Sequence, residues 1–198
     1  MSAPAPKPAA FSHEELLQCA EGKLFGPTAP RLPLPPMLML DTITSATPHG
    51  GTHGKGEIIA EKIIRPDLWF FKCHFKNDPV MPGCLGLDGL WQLTGFFLGF
   101  LGYKGQGRAL GVGDVRFTDQ ITPDIKKLVY HVHPKRIVSR AQMIIASGEI
   151  KADDKLVYRA EDLKVIAAPN ATPNAAPSTQ PPQQTRDTSS TDEEQNND

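Results

Sequence analysis

The sequence contains little cysteine, and what it has does not form a disulfide pattern. Its three cysteines, Cys19, Cys73 and Cys84, are sparse and odd in number, unlike the framework of a small secreted domain. The opening residues, MSAPAPKPAA, also lack the apolar segment of a secretory signal. We therefore expect a cytoplasmic protein.

Long basic runs are absent as well, and the formal net charge is only −1. Because the lysines and arginines are scattered, we do not expect binding to nucleic acid. From residue 167 onward the chain lacks aromatic residues and any aliphatic residue larger than alanine. Such a segment buries too little apolar surface to offset the entropy of ordering. We expect a single folded domain over residues 11–167, a disordered segment over 1–10 and a disordered acidic tail over 168–198.

The longest apolar run extends from Gly83 to Tyr103 and contains one charged residue, Asp88. Because Pro79 and Pro82 precede it, and proline is tolerated at a helix start but not inside a helix, we expect a helix that begins near Gly83. A helix that is apolar on nearly every side is buried in a core or spans a membrane. The run is long enough to span. Since Asp88 would be costly there, we expect a buried helix and no membrane association, with a membrane helix as the alternative.

One narrow face of this predicted helix is polar or small. Asp88, Gln92, Gly95 and Gly99 follow one another at spacings of four, three and four, which places them on the same side. The glycines alone indicate only close packing of the backbone. A carboxyl on a buried helix is costly unless it has a partner or a chemical task, so Asp88 is a candidate functional residue.

His74 is the second candidate, and it stands among aromatic residues just before the helix. A neutral imidazole can act as a general base near neutral pH. The unpaired N–H groups at a helix start favour developing negative charge. A base, a buried carboxyl and such a helix end together suit the removal of a proton next to a carbonyl. For His74 alone, a structural role in the core is the simpler alternative.

A metal site is a competing interpretation of the same stretch, with Cys73, His74, Cys84 and Asp88 as ligands. Zinc sites usually show short paired spacings, which this segment lacks, so we expect no metal. His131 and His133 also alternate on one predicted strand face. They are compatible with a metal site, but a polar strand face is the simpler interpretation.

The rest of the chain is rich in strand signals. Ser12 and Glu15 form a capping box, which predicts a short helix to about Glu21. An aromatic, strand-like piece follows residue 68, and Asp153 with Asp154 predicts a hairpin turn. Further strands are predicted over residues 37–46, 56–64, 108–121, 127–138, 142–151 and 155–166. Consecutive strands with short turns indicate an antiparallel sheet, and with the helices an α+β fold.

Two segments, CHFKNDPVMPGCLGLDGLWQL and GRALGVGDVRFT, closely resemble the bacterial 3-hydroxydecanoyl-acyl carrier protein dehydratase/isomerases. The resemblance runs from about Ser12 to Val165. It implies a hot-dog fold, in which an antiparallel sheet wraps around one long central helix, and a homodimer with two active sites at the subunit interface. It also implies dehydration of (3R)-3-hydroxydecanoyl-acyl carrier protein to the trans-2-enoyl product and isomerisation to the cis-3 product, in unsaturated fatty acid biosynthesis. No cofactor is implied beyond the phosphopantetheine arm of the carrier.

Carried over residue by residue, the resemblance makes His74 the catalytic base and Asp88 of the other subunit the acid. The Gly83 N–H would bind the thioester carbonyl. Further substrate-binding residues implied by the same segment are Phe75, Val80, Cys84, Trp91 and Gln92. Dehydratase-only relatives carry Glu in place of Asp88, so the aspartate favours the bifunctional type. An enzyme without isomerase activity and a non-catalytic acyl-binding module remain alternatives.

A basic cluster is the expected docking surface for acyl carrier protein, since the carrier is acidic and opposite charges steer association. The cluster consists of Lys135, Arg136, Arg140 and Lys164.

Overall fold

The structure is a computed structural model that describes residues 8–169. Within that range, the helices are His13–Ala20 (α1) and Gly83–Phe100 (α2), and two 3-10 turns lie at Trp69–Lys72 and Ser139–Ala141. The strands are Ala9–Phe11 (β1), Thr42–Thr47 (β2), Glu57–Ile63 (β3), Gln106–Gly111 (β4), Asp114–Phe117 (β5), Lys127–Val138 (β6), Met143–Ala152 (β7) and Lys155–Ala168 (β8).

The strands form one antiparallel sheet around α2. The order is β1-β2-β3-β6-β7-β8-β4, and β5 pairs with a different part of β8. On β6, buried and half-buried residues alternate from Leu128 to Pro134, because one face is turned to α2 and the other to solvent. The predicted antiparallel sheet around a long helix is therefore confirmed.

The central helix begins at Gly83, as the prolines predicted, and ends at Phe100. Leu90, Leu93, Phe97 and Leu98 are completely buried against the sheet. Within residues 8–169, no helix combines the length and the apolar character needed to cross a membrane.

Two glycines of α2 are explained by close packing of tyrosines from the sheet. A Cβ on Gly89 would lie 2.5 Å from the Tyr130 ring, and one on Gly86 would overlap the Tyr158 ring. These contacts set the distance between helix and sheet, and any larger residue would require the tyrosines to move.

Other sequence predictions are also confirmed. Ser12 and Glu15 form the capping box, in which Glu15 Oε2 accepts from the Ser12 N–H at 2.7 Å. Asp153 and Asp154 both have positive φ, 43° and 72°, as a two-residue hairpin turn requires. β6 covers Lys127–Val138 as predicted.

The aromatic piece after residue 68 was predicted as strand-like, and this is wrong. Trp69–Lys72 is a 3-10 turn. Phe70 and Phe71 are both buried in succession, whereas neighbouring residues of a strand point to opposite faces.

Two predicted strands differ in extent. The strand over 37–46 begins only at Thr42, because the Gln92 side chain bonds the backbone of Met37 and Met39 in place of a strand partner. The strand predicted over 108–121 is two strands: β4 ends at Gly111, which has a φ of 151°, and β5 begins at Asp114.

The N-terminal prediction needs a partial correction. Ala9 and Ala10 belong to β1, although residues 1–10 were predicted to be disordered. The Phe11 ring packs edge-on against Phe96 of α2 at 5.0 Å, and this apolar contact anchors the strand. Residues 1–7 and 170–198, to which the remaining disorder predictions apply, lie outside the described residues.

Candidate active site

His74 is held in the loop between the Trp69–Lys72 turn and α2 by three hydrogen bonds. Its backbone N–H donates to the Phe70 carbonyl at 2.9 Å, and its carbonyl accepts from the Val80 N–H at 2.8 Å. Its ring Nδ1 lies 3.0 Å from the Val80 carbonyl oxygen. Because a carbonyl oxygen can only accept, Nδ1 carries the proton in the neutral ring, whose lone pair is then on Nε2. The local fold therefore presents His74 as a base through Nε2.

Val80 and Phe75, two of the implied substrate-binding residues, have different roles beside His74. Val80 is half-buried and supplies the carbonyl that fixes the imidazole. Phe75 is 55% exposed, and its ring centroid lies 3.8 Å from that of His74. A large exposed phenyl ring next to a candidate base is available for contact with a substrate or a second chain.

The start of α2 is open. Pro82 is its N-cap and provides no side-chain hydrogen bond, so the first N–H groups, beginning with Gly83, are not capped. A Cβ on Gly83 would lie 3.0 Å from the Phe117 ring, so a larger residue here would require that ring to shift. Cys84 is exposed. An uncapped helix start of this kind can bind an oxygen that carries negative charge.

Tyr158 packs beneath this helix start as a neutral phenol. Burial, with a smaller contribution from Cys84, raises the pKa of Tyr158 to about 12. Its ring lies 4.7 Å from that of Phe117, centroid to centroid. Because the phenol stays protonated at neutral pH, it does not compete for the positive end of α2.

Asp88 lies in the second turn of α2 and is half-buried. Its Oδ2 accepts a hydrogen bond of 2.6 Å from Gln92 Nε2. Gln92 Nε2 also donates to the Met37 carbonyl at 2.8 Å, and Gln92 Oε1 accepts from the Met39 N–H at 2.9 Å. Gln92, which the resemblance implied as a substrate-binding residue, thus positions the Asp88 carboxyl. It also connects the extended 37–39 segment to the helix.

A groove of about 440 Å³ runs along this face of α2. Asp88, Gln92 and Gly95, predicted from their spacing to share one face, all line it together with Trp91. Gly99 does not; its Cα faces Phe25, whose ring a Cβ would meet at 2.8 Å.

Two arginines that the sequence reasoning did not select also line the groove. Arg31 comes from the extended segment before β2, and Arg108 comes from β4. Neither forms an ion pair with a carboxylate of residues 8–169 within 4.0 Å. They are more than 70 residues apart in sequence, so no local motif indicates that they come together.

His74 does not line the groove that contains Asp88. The base approaches the helix from the loop before its first residue, and the carboxyl points into a groove along its side. Among residues 8–169, no hydrogen bond or ion pair within 4.0 Å joins the His74 ring to the Asp88 carboxyl.

The four residues considered as ligands in the alternative metal interpretation do not come together. Among residues 8–169, Cys73, His74, Cys84 and Asp88 do not form a group whose ligand atoms lie within 4.8 Å of one another.

The four cations of the basic cluster have different surroundings in the structure. Arg136 pairs in register with Ile145, and Ile145 pairs with Lys164, so both cations project from the same outer face. Arg140 is exposed in the turn after β6. Lys135 differs, because its ammonium contacts two carboxylates.

These carboxylates belong to Glu161, at 3.1 Å, and Asp162, at 2.7 Å. The hydrogen bond from Lys135 and its charge hold the pKa of Asp162 below its usual range. The two carboxylates offset the positive charge of Lys135, so it should attract an acidic partner less than Arg136 or Lys164 does.

Three solved structures are similar to this chain at low sequence identity. The dehydratase heterocomplex ApeI:P from Xenorhabdus doucetiae is 16% identical and aligns over 69% of this chain and 86% of that chain, with a TM-score of 0.54. AziG from S. sahachiroi is 15% identical over 65% of this chain and 90% of its own, with a TM-score of 0.48. A hypothetical thioesterase protein with coenzyme A from Streptococcus pneumoniae TIGR4 is 9% identical over 59% and 82%, with a TM-score of 0.44. At these identities, the first similarity supports the fold alone.

Residues 32–161 match the FabA-like domain family. The chain belongs to that family and has its hot-dog fold, as the sequence resemblance implied. His74, the α2 start and Asp88 all lie within the matched range.

Proposed function

We propose that the chain is a hydro-lyase that dehydrates (3R)-3-hydroxydecanoyl-acyl carrier protein and isomerises the trans-2-decenoyl product to cis-3-decenoyl-acyl carrier protein. The observation that carries the proposal is the His74 ring, whose Nδ1–H is bound to the Val80 carbonyl. This leaves Nε2 as a base beside an uncapped helix start. Membership of the FabA-like family supports the same class of chemistry.

A homodimer is part of this proposal, because the His74 ring and the Asp88 carboxyl do not bond to each other within one chain. β4 is the last strand of the sheet order, and an edge strand presents unpaired backbone groups to another chain. Leu110 on β4 is 58% exposed, and Phe117 and Phe75 are each 55% exposed. These apolar surfaces are suited to burial against a second copy, whose Asp88 would complete the site around His74.

The first chemical step follows from the base and the helix start. The Gly83 N–H, aided by the helix dipole, polarises the thioester carbonyl and makes the C2 proton more acidic. His74 Nε2 removes that proton. The partner's Asp88, in its protonated form, donates to the C3 hydroxyl, which leaves as water. The electron pair from the C2–H bond becomes the C2=C3 double bond.

Isomerisation uses the same groups after proton balance is restored. The proton on His74 returns to the aspartate, and His74 is again neutral. His74 then removes a C4 proton and delivers a proton to C2, which moves the double bond to C3=C4. No cofactor beyond the phosphopantetheine arm takes part in these steps.

The groove beside Asp88 is the proposed site for the acyl chain and its arm. Trp91 lines the groove with an apolar ring, and Gly95 lines it without a side chain that would fill it. Arg31 and Arg108 at the same groove suit the phosphate of phosphopantetheine.

The proposed docking surface for the carrier lies near this groove. Arg108 pairs in register with Ile166, two residues from Lys164. The outer-face cations Arg136 and Lys164 therefore connect to the groove and are our proposed docking surface for acyl carrier protein.

A product assay tests the proposed function. Purified protein is incubated with (3R)-3-hydroxydecanoyl-acyl carrier protein, and the released acyl groups are separated by chromatography. The proposal predicts both trans-2- and cis-3-decenoyl products. The trans-2 product alone would restrict the protein to dehydration, and the absence of both would contradict the proposal.

A further inference from the structure

A second group of chemically capable side chains lies on the outer face of the sheet, away from α2. Ile58 of β3 pairs with Val132 of β6, and both are completely buried on the α2 side. His131 and His133 flank Val132 and project from the opposite face. Glu57 precedes Ile58 and projects from that same outer face. The register thus places one carboxylate beside two imidazoles.

The ligand atoms of these three residues lie within 4.8 Å of one another. His131 Nε2 is 3.2 Å from Glu57 Oε2, and the His131 and His133 ring centroids are 3.9 Å apart. All three residues are half-buried. Two histidines separated by one residue on a strand, with a carboxylate from the neighbouring strand, constitute an N/N/O ligand set suited to zinc and similar ions.

An ordinary ion pair accounts for only part of this arrangement. A pair between Glu57 and His131 leaves the second imidazole, that of His133, tilted by 42° against the first ring. The ion pair joins only His131 to Glu57, so it does not account for the second ring beside them.

The loop between β2 and β3 adds an outer contact of the kind that orients a ligand. Thr52 Oγ1 lies 3.2 Å from His133 Nδ1. A hydroxyl that accepts from Nδ1–H leaves His133 Nε2 with its lone pair. Hydrogen bonds of this type to the second ring nitrogen are usual for histidines that bind metals.

We propose that Glu57, His131 and His133 form a binding site for one zinc-class divalent cation, with a fourth position open to water. The site joins β3 to β6 and, through Thr52, holds the β2–β3 loop against the sheet. Because it lies on the face of the sheet opposite α2, the ion stabilises the fold and takes no part in dehydration.

Zinc titration tests the site directly. The full chain is purified without a histidine tag, treated with a chelator, and titrated with Zn²⁺ in a calorimeter. We expect one ion per chain, and affinity at least about tenfold weaker in His131→Asn and His133→Asn. His13→Asn is the matched control, since His13 lies exposed on α1, and it should bind as the wild type does. Absence of saturable binding, or equal binding in all four proteins, would overturn the proposal.

A second measurement uses only the wild-type protein, so it does not depend on whether the variants fold. Proton–nitrogen correlation spectra of the histidine rings in the wild-type protein are recorded during zinc addition. Ring signals of His131 and His133 should shift together at one equivalent, while those of His13 stay in place. Shifts confined to other histidines would contradict the assignment.

Discussion

The Gln92 side-chain amide donates to Asp88 Oδ2 at 2.6 Å, one helical turn away on α2. The same amide group donates to the carbonyl of Met37, and its oxygen accepts from the N–H of Met39. One nearly buried side chain therefore sets the orientation of the candidate acid and anchors the segment before β2.

Replacing Gln92 with leucine should destabilise the protein, because the backbone groups of Met37 and Met39 lose their partners. We expect the free energy of unfolding to fall by about 2–3 kcal/mol, measured by urea denaturation. Gln120→Leu is the control, since Gln120 is exposed. Equal losses in both variants would show that the Gln92 hydrogen bonds do not stabilise the fold.

Two glycines of α2 should respond oppositely to alanine. Gly89→Ala should lower the free energy of unfolding by about 1–3 kcal/mol, because the new methyl group overlaps Tyr130. At Gly95 the nearest atom to a new Cβ is in Val165, at 3.8 Å, so Gly95→Ala should gain about 0.5–1 kcal/mol. Thermal and urea unfolding provide the comparison.

Gly95→Ala should also narrow the groove beside Asp88. We expect turnover of a ten-carbon substrate to fall relative to a four-carbon substrate, although the variant is at least as stable as the wild type. An unchanged ratio of kcat/KM between the two substrates would place the acyl chain elsewhere.

His74→Ala should abolish dehydration without unfolding the protein, because the half-buried ring makes one hydrogen bond, to Val80. We expect turnover to fall by about 10²–10⁴-fold, the usual contribution of a general base. Enoyl thioester absorbance measures the rate, and circular dichroism checks the fold. His13→Ala serves as the control, and near-normal turnover by His74→Ala would refute its role as the base.

The proposed docking surface predicts a difference between cations on the same sheet. Replacing Arg136 and Lys164 with alanine should raise KM for the acyl carrier protein substrate by about tenfold, since charge steering is lost. KM for a small acyl thioester without the carrier should not change. Lys135→Ala should have a smaller effect, because Glu161 and Asp162 already pair with that ammonium. Equal effects of all three replacements on both substrates would contradict docking at this surface.

Features that depend on local sequence were predictable. The α2 start followed from Pro79 and Pro82, and the hairpin turn followed from Asp153 and Asp154. The aromatic piece at residue 69 was not, because propensity favours a strand while consecutive burial of Phe70 and Phe71 requires a turn.

Features that depend on distant parts of the chain were outside the reach of sequence patterns. The use of Gln92 to bond the Met37 backbone, the approach of Arg31 to Arg108, and the placement of Glu57 beside His133 all join residues far apart in sequence. Tertiary packing alone determines these arrangements.

The central claim is that His74 of one chain acts with Asp88 of another, and a mixed dimer tests it most directly. His74→Ala and Asp88→Asn chains are co-expressed with different tags, and the heterodimer is isolated by two affinity steps. One of its two sites would then contain both native groups, so we predict about half of the wild-type activity per dimer, against almost none for either parent homodimer. A heterodimer no more active than its parents would contradict the account.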